Sequence, residues 1–376
     1  MITIEDVHKE YKKHMYLENT NFIDTLLATY MTTRLTGEPL WLFPIAPSSY
    51  GKTEMQKPFI EMSKESKYKI LMLDQVTSKS FASGRKESED LGAKLQNERT
   101  FVLIPDLASI LSSSVDDKST LFAAMRTLYD GYIIRYTGNE KKIYRNCHIN
   151  MFACSTPAIR GNIEFFGQMG TREILYDVGG IQYPDNMLEA NVDNDARESI
   201  ANVVKSFVDD NVQGVDFTEQ PILNDFVKNI TKRIATWRVE PTVDEFGYLT
   251  QQVIPEYTPR LYKQLSKLCV GLNAIGISQN SIKRIIIEIE QGCGNNLRRQ
   301  IYRALYRTNE QGFSTPTPKS RWQIANELNR SKKEVLTQLM VLRELGDVSV
   351  MPRAGDTRTL DIFNEKAIWQ TDSDIY

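Results

Sequence analysis

The sequence predicts an α/β fold with a largely parallel sheet, followed by a helical region and a small C-terminal unit. Three observations predict it. Apolar runs of strand length alternate with helical patterns from residue 35 to about residue 155. The run Leu40-Trp41-Leu42-Phe43-Pro44-Ile45 leads into Ala46-Pro47-Ser48-Ser49-Tyr50-Gly51-Lys52-Thr53, and Glu54-Met55-Gln56-Lys57 then opens a helix. That eight-residue stretch fits the phosphate-binding pattern G-x-x-x-x-G-K-[ST] except at the first position, where Ala46 replaces glycine, and strand, loop, helix is the context the pattern needs. Near Tyr183 the pattern becomes mostly helical, and residues 309–318 form a Pro/Gly/Ser/Thr linker. The expected layout is an N-terminal helical segment over 1–34, an α/β core over 35–185, a helical domain over 186–308, a linker over 309–318 and a C-terminal unit over 319–376.

Element by element, residues 5–35 read as helical, with Phe22, Leu26, Leu27, Tyr30 and Met31 at helical spacing. Lys69 to Leu73 is a second strand, and Thr100 to Ile104 a third, which runs through Pro105 to end in Asp106. Ser119 to Asp130 is a helix with Leu121, Met125 and Leu128 on one face. Tyr132 to Tyr136, the turn 137–140 and Lys141 to Tyr144 read as a β-hairpin. Ile149 to Cys154 is the next strand, followed by Ser155-Thr156-Pro157. Helical patterns then cover 196–208, 221–237, 258–275, 279–291 and 295–307. In the C-terminal unit, Trp322 to Leu328 is a short helix, Asn329-Arg330-Ser331 a turn with Ser331 as N-cap, and Lys332 to Leu345 a second helix with Val335, Leu339 and Leu342 inward. Segments 348–351 and 359–362 form a hairpin, so the unit reads as a winged helix-turn-helix with an acidic tail.

Bulk properties narrow the function classes. A chain of 376 residues accommodates two or three domains, and 41% hydrophobic with 25% charged residues is the composition of a folded protein. No apolar run reaches membrane-spanning length, so no membrane association is expected. Met1 to Asp6 lacks the basic-then-apolar pattern of a secretory signal. Cys147, Cys154, Cys269 and Cys293 show no C-x-x-C pairing, which predicts reduced thiols and a cytoplasmic location. Three histidines make a zinc site an unlikely expectation. The net charge of −2 means that nucleic-acid contact must come from local basic patches.

The loop predicts nucleotide chemistry. Backbone N–H groups of residues 46–53 would cradle phosphates at a helix N-terminus. Lys52 would reach the β- and γ-phosphates of ATP, and the Thr53 hydroxyl would hold Mg²⁺. Asp106 is placed to hold the same Mg²⁺ through water, or else it starts a turn. The next residue is Leu107, so the second carboxylate that polarises attacking water is missing there. Asp130 is a possible substitute, or an ordinary helix-terminal turn residue. Thr156 fits a polar sensor of the γ-phosphate, with Ser155 competing. Arg172 is expected either to reach a neighbouring subunit's γ-phosphate or to be a solvated surface arginine. Arg260 is expected to bridge the helical domain to the phosphates.

In this order the parts resemble an AAA+ ATPase over about residues 35–308, through Ala46–Thr53, Val102–Asp106, Ser155–Thr156, Arg172 and Arg260. The hairpin at 132–144 resembles the pre-sensor hairpin of the branch containing MCM-type helicases. With the winged helix, the chain is similar to MCM-like replication ATPases and to the shorter ATPases of phages and mobile elements, whose Thr-x-x-x-Phe-x-Ser-Gly segment is matched by Thr77 to Gly84. The resemblance implies a P-loop NTPase core, a helical lid over 186–308 and a homo-oligomer, a hexameric ring with ATP between subunits.

DNA contacts are expected at two places. The hairpin tip offers Lys141 and Lys142, with Arg135, Tyr136, Tyr144 and Arg145 along its strands, a combination suited to a nucleic-acid backbone or to a solvated edge. In the C-terminal unit Lys332, Lys333 and Thr337 would face a DNA groove, with Arg353 and Arg358 on the wing. The alternative is a protein-docking unit. The expected function is an ATP-dependent DNA helicase or translocase in replication of a phage or mobile element. The alternatives are an ATP-switch initiator or helicase loader and an oligomerising transcription regulator.

Overall fold

A computed structural model describes residues 2–63, 69–74, 76–81, 90–137, 140–162, 170, 172–178, 192–212, 223–308, 314–352 and 359–363. The first half comprises α1 (Ile4–His14), α2 (Asn21–Met31), β1 (Trp41–Ile45), α3 (Lys52–Ser63), β2 (Lys69–Met72), α4 (Ser78–Phe81), α5 (Leu91–Leu95), β3 (Arg99–Ile104), α6 (Ala108–Leu111), α7 (Val115–Tyr129), β4 (Tyr132–Thr137), β5 (Glu140–Arg145), β6 (His148–Ala153) and β7 (Ile174–Asp177). There follow α8 (Asn194–Val212), α9 (Asn224–Trp237), α10 (Pro259–Ala274), α11 (Gln279–Gly292), α12 (Asn296–Ala304), β8 (Tyr306–Thr308), β9 (Ser314–Pro316), α13 (Arg321–Glu327), α14 (Lys332–Glu344), β10 (Val348–Pro352) and β11 (Thr359–Phe363). Among the described residues no helix is long and apolar enough to cross a membrane. All four cysteines are buried and free.

The chain divides into two compact units, Met1–Asn224 with Arg260–Gly292, and Asp225–Pro259 with Cys293–Tyr376. The stretch expected as one helical domain, 186–308, is therefore shared. Helices α8, α10 and α11 pack in the first unit, and α9 and α12 in the second. The expected linker contains β9, which pairs antiparallel with β8.

In the first unit β2, β3, β6, β1 and β7 form one parallel sheet in that order. Helices cover both faces, which is why the strands read as continuous apolar runs. Register assigns the faces. Leu42 pairs with Phe152, and Phe101 with Asn150, two residues before it on the same face. That face meets α2 and α3, where Phe22 meets Phe152 and Tyr30 meets Phe59 and Phe101 edge-on. Trp41, on the opposite face, meets Tyr129 at the end of α7. Pro44 sits inside a central strand and has no N–H to give. The β1–β6 pairing runs from Trp41 to Leu42 and resumes in the same register at Ile45 and Ser155. Strand β7 was not anticipated; its four residues are too short to show a period. Helix α7 starts four residues before its expected beginning because Ser114 caps it, accepting from Asp117 N–H.

The second unit is centred on Trp237, Ile301, Leu305, Ile324, Val335, Leu339 and Leu342. Helix α13, a turn, α14 and the antiparallel pair β10–β11 follow the expected order. Ser331 caps α14 in a capping box with Glu334. Arg298 is wholly buried at the centre. Its Nη1 donates to Thr236 O at 2.7 Å and Trp237 O at 3.2 Å, Nη2 to Val239 O at 2.8 Å, and Nε to Gln338 Oε1 at 2.9 Å. One guanidinium thus satisfies the carbonyl end of α9 and ties it to α14, with the charge at the negative end of the helix dipole. Burial pushes the Arg298 pKa down to about 10, opposed by Glu240 and Asp347. Arg298→Met keeps the volume and strands these acceptors; it is expected to cost about 3–5 kcal/mol in chemical denaturation.

Candidate nucleotide site

Parallel strands bring their carboxyl ends to one edge, and four of them are stitched together there. Ala46 N–H donates to Ser155 O (3.1 Å), Ser155 N–H to Pro44 O (2.9 Å), Leu107 N–H to Cys154 O (2.8 Å) and Val178 N–H to Ile45 O (2.9 Å). This is the edge at which open α/β sheets bind ligands. The loop 46–53 leaves β1 here and enters α3. Ser49 and Gly51 both take left-handed backbone angles, φ 63° and 88°; at Gly51 the missing Cβ removes the strain. The first N–H groups of α3 have no acceptor within the helix and face the loop.

Lys52 opens α3 and is only 6% exposed. Its Nζ donates to Ala46 O at 2.8 Å and Pro47 O at 2.6 Å, so the ammonium closes the loop upon itself. Burial lowers its pKa, while Cys154 and the negative charge of Asp106 act to raise it. Thr53 is exposed at the loop's end. Asp106 is exposed on the same edge, and its Oδ1 also accepts from Ala108 N–H at 2.9 Å. The turn-starting expectation for Asp106 is thus met, and its exposed side chain stands on the same edge as the loop.

The residues present fit a nucleoside triphosphate. Ser155 Oγ, a hydroxyl able to donate to a phosphate, is fully buried with no hydrogen-bond partner; Gln56 Oε1 in the first turns of α3 is also buried without one, but as an acceptor it offers a phosphate nothing. Gln56 Nε2 donates to Lys52 O at 3.1 Å and lies 3.0 Å from Cys154 Sγ. Thr156 is half-buried, so Ser155 carries the unmet polar atom. Among the described residues no group of three His, Cys, Asp or Glu could hold a metal. Mg²⁺ at Thr53 and Asp106 would need the nucleotide's own phosphates as ligands, its usual mode.

Three expected site residues lie elsewhere. Arg172 precedes β7, which enters the sheet at Ile174 opposite Leu42, about 13 Å of strand before the loop. It is buried, and its Nη2 reaches both carboxylate oxygens of Asp130 at 2.9 and 2.8 Å. Asp130 is therefore not a substitute base beside the loop: α7 runs back to the opposite edge and leaves it there. Arg260 joins this group, stacking on Tyr129 at 5.7 Å and donating to Gly170 O at 3.0 Å. Arg172 lies over the same ring at 5.5 Å. Arg260 does not bridge to the loop.

Two arginines that the sequence reading missed do stand at the loop's edge. Arg160 is paired with Asp177 (2.7 Å) and donates to Gly292 O (3.0 Å). Arg197 of α8 is 2.9 Å from Glu54. Burial works against ionisation of Glu54, but Arg197 and Lys57 hold its pKa below the ordinary value. Long-range pairing of this kind has no signal in local spacing. A cavity of about 670 Å³ beside α3 and α8 is lined by Lys57, Ile60, Glu61, Asn194, Arg197 and Lys205 among others; its mixed charges point to no single ligand class.

The basic residues also sort differently. Lys142 is not a free tip cation: its Nζ lies 2.8 Å from the buried Asp90, which also accepts from Tyr144 OH at 2.7 Å. Lys141 is exposed and lies over the Tyr136 ring at 5.4 Å. Lys332 is exposed, whereas Lys333 Nζ donates to Glu245 O and Thr337 Oγ1 to Gly247 O. Arg353 and Arg358 lie outside the described residues, as do Ala82 to Gly84 of the segment that begins at Thr77.

No family model matches the chain, and no curated protein is significantly similar to it. The geometry alone gives a sharp expectation. Lys52→Ala should weaken ATP binding at least tenfold in calorimetric titration, whereas Asp130→Ala, at the other edge, should leave it within about twofold.

Proposed function

We propose that this chain is an AAA+-like ATPase that binds ATP and Mg²⁺ through residues 46–53, Asp106 and Ser155 and works on DNA as a ring-forming helicase or translocase, in replication of a phage or mobile element. The observation that carries the nucleotide half is Lys52: a buried ammonium held on loop carbonyls at the carboxyl edge, within the field of Asp106. Phosphate oxygens are better acceptors than those carbonyls, so triphosphate entry exchanges weak contacts for charge-assisted ones.

The DNA half is supported by the β4–β5 hairpin. Tyr132, Ile134 and Tyr136 alternate on one face and are 37%, 47% and 70% exposed. Their cross-strand partners are Arg145, Ile143 and Lys141. Aromatic rings beside cations suit stacked bases and phosphates. The α13–α14 pair supplies a second basic element through Arg330 and Lys332.

A non-motor ATP switch, an initiator or loader, is favoured by one observation. Leu107 follows Asp106 and is buried, and two other carboxylates on this edge, Glu54 and Asp177, are each engaged by an arginine, which leaves Asp74, just after β2, among the described residues there. Such a protein assembles on ATP and turns over slowly.

ATPase rate with and without single-stranded DNA, for the parent and Lys52→Ala, separates the two. DNA-stimulated turnover that vanishes in the variant is expected of a motor. ATP-dependent assembly without turnover identifies a switch, and absence of ATP binding overturns both. In a motor, Tyr136→Ala should lower the DNA stimulation several-fold and leave the DNA-free rate unchanged.

A further inference from the structure

Two of the three α14 residues expected to meet DNA, Lys333 and Thr337, already hold another segment of the chain. Residues 242–250 form a tight, self-braced turn. Asp244 Oδ1 accepts from the N–H groups of Phe246 and Tyr248, both at 2.9 Å, and Asp244 N–H donates to Tyr248 O at 2.9 Å. Val243 and Leu249 bridge antiparallel below it.

It lies on the N-terminal half of α14. Lys333 and Thr337 are one helical turn apart and so share a face. Lys333 Nζ donates to Glu245 O, and Thr337 Oγ1 to Gly247 O at 2.8 Å. Gly247 is buried, with φ of +89°, and a Cβ there would lie 2.9 Å from both Lys333 Cγ and Thr337 Oγ1. The turn carries two exposed acids, Asp244 and Glu245, to a helix end that bears Arg330, Lys332 and Lys333. Oxygen acceptors and negative charge there imitate what a phosphate backbone would offer.

The two ends of this segment are held differently. Its base packs through Val239, Val253 and Leu249 against Val341 and Leu345, in the second half of α14 and just beyond it. Its tip touches the helix through hydrogen bonds and one glycine, while Phe246 and Tyr248 remain 65% and 50% exposed. Lifting the tip therefore uncovers little apolar surface and leaves the base in place.

We propose that the turn Asp244–Tyr248 is an autoinhibitory cover, which occludes the groove-reading face of α14 and lowers duplex affinity until it lifts. This rests on the reading that the second unit binds DNA. Duplex binding is then reduced by the fraction of molecules with the turn raised.

The test is fluorescence anisotropy of a labelled duplex with the full chain at one fixed salt concentration. Gly247→Val cannot keep the left-handed angle or the close approach. It should tighten binding by about 10- to 100-fold, and Lys333→Ala in that background should remove the gain. Thr337→Val, which deletes one docking bond and leaves the turn intact, should tighten binding a few-fold and guards against misfolding of the first variant. Amide exchange at 245–248 reports whether the tip has lifted. Lifted tips with unchanged duplex affinity overturn the cover while leaving DNA binding intact. Absence of duplex binding in the parent and in both released variants overturns DNA binding by this unit, and the cover with it.

Discussion

The constraint on which the first unit depends is that its five central strands run the same way. Parallel strands need a crossover after each one, so every carboxyl end must emerge at one edge and every amino end at the other. Residues far apart in the chain are thereby sorted by strand polarity alone. Ala46–Thr53, Asp106, Ser155 and Asp177 follow strands and meet. Asp130 follows a helix, and Arg172 precedes a strand, so both are placed at the far edge. The sheet thus sorts the loop and its neighbours to one edge and the Arg172–Asp130 pair to the other.

Charge is managed differently at the two edges. On the loop side Lys52 rests on neutral carbonyls, and Ser155 and Gln56 present buried atoms without partners. Unmet polar groups in a buried place cost stability, and the far side carries one as well, Gln264 Oε1. On the far side Arg172 is matched bidentately by Asp130, and its guanidinium shares the Tyr129 ring with that of Arg260. Those groups are satisfied within the chain. Removal of Asp130 would strand a buried cation, which is why this pair reads as structure first.

Much of the fold was legible because burial on both sheet faces writes itself as unbroken apolar runs, and because caps are local. Strands β1, β2, β3 and β6 stand within a residue or so of expectation, and Ser331 caps the helix that its sequence position suggests. The loop was legible for the same reason: its chemistry sits in eight consecutive residues. What was not legible was long-range pairing. Period-two alternation does say that Lys141 and Lys142 face opposite sides of the hairpin; it does not say that Asp90 waits for the second. Nothing local tells Arg260 from a cation that reaches phosphate. The turn over α14 had a signal, Asp244-Glu245-Phe246-Gly247, a common turn composition, yet its docking place is a matter of tertiary packing. Ser314–Pro316, read as linker, became a strand because an antiparallel partner was within reach.

The division of the chain has a consequence for how it is made. Helix α9 is synthesised well before Arg298, the side chain that satisfies its carbonyl end, and before α14, to which that arginine fastens it. The first unit, in turn, lacks α10 and α11 until the ribosome has passed Gly292. The first unit is complete once Gly292 has been made, whereas the second still awaits Cys293–Tyr376, so the first can mature ahead of the second but only with residues 225–259 of the second already made. For a time the nascent protein must carry a half-covered sheet and an uncapped helix together. Contacts of such sequence separation slow folding, and incompletely covered apolar surface of this kind is what exposes a nascent chain to aggregation.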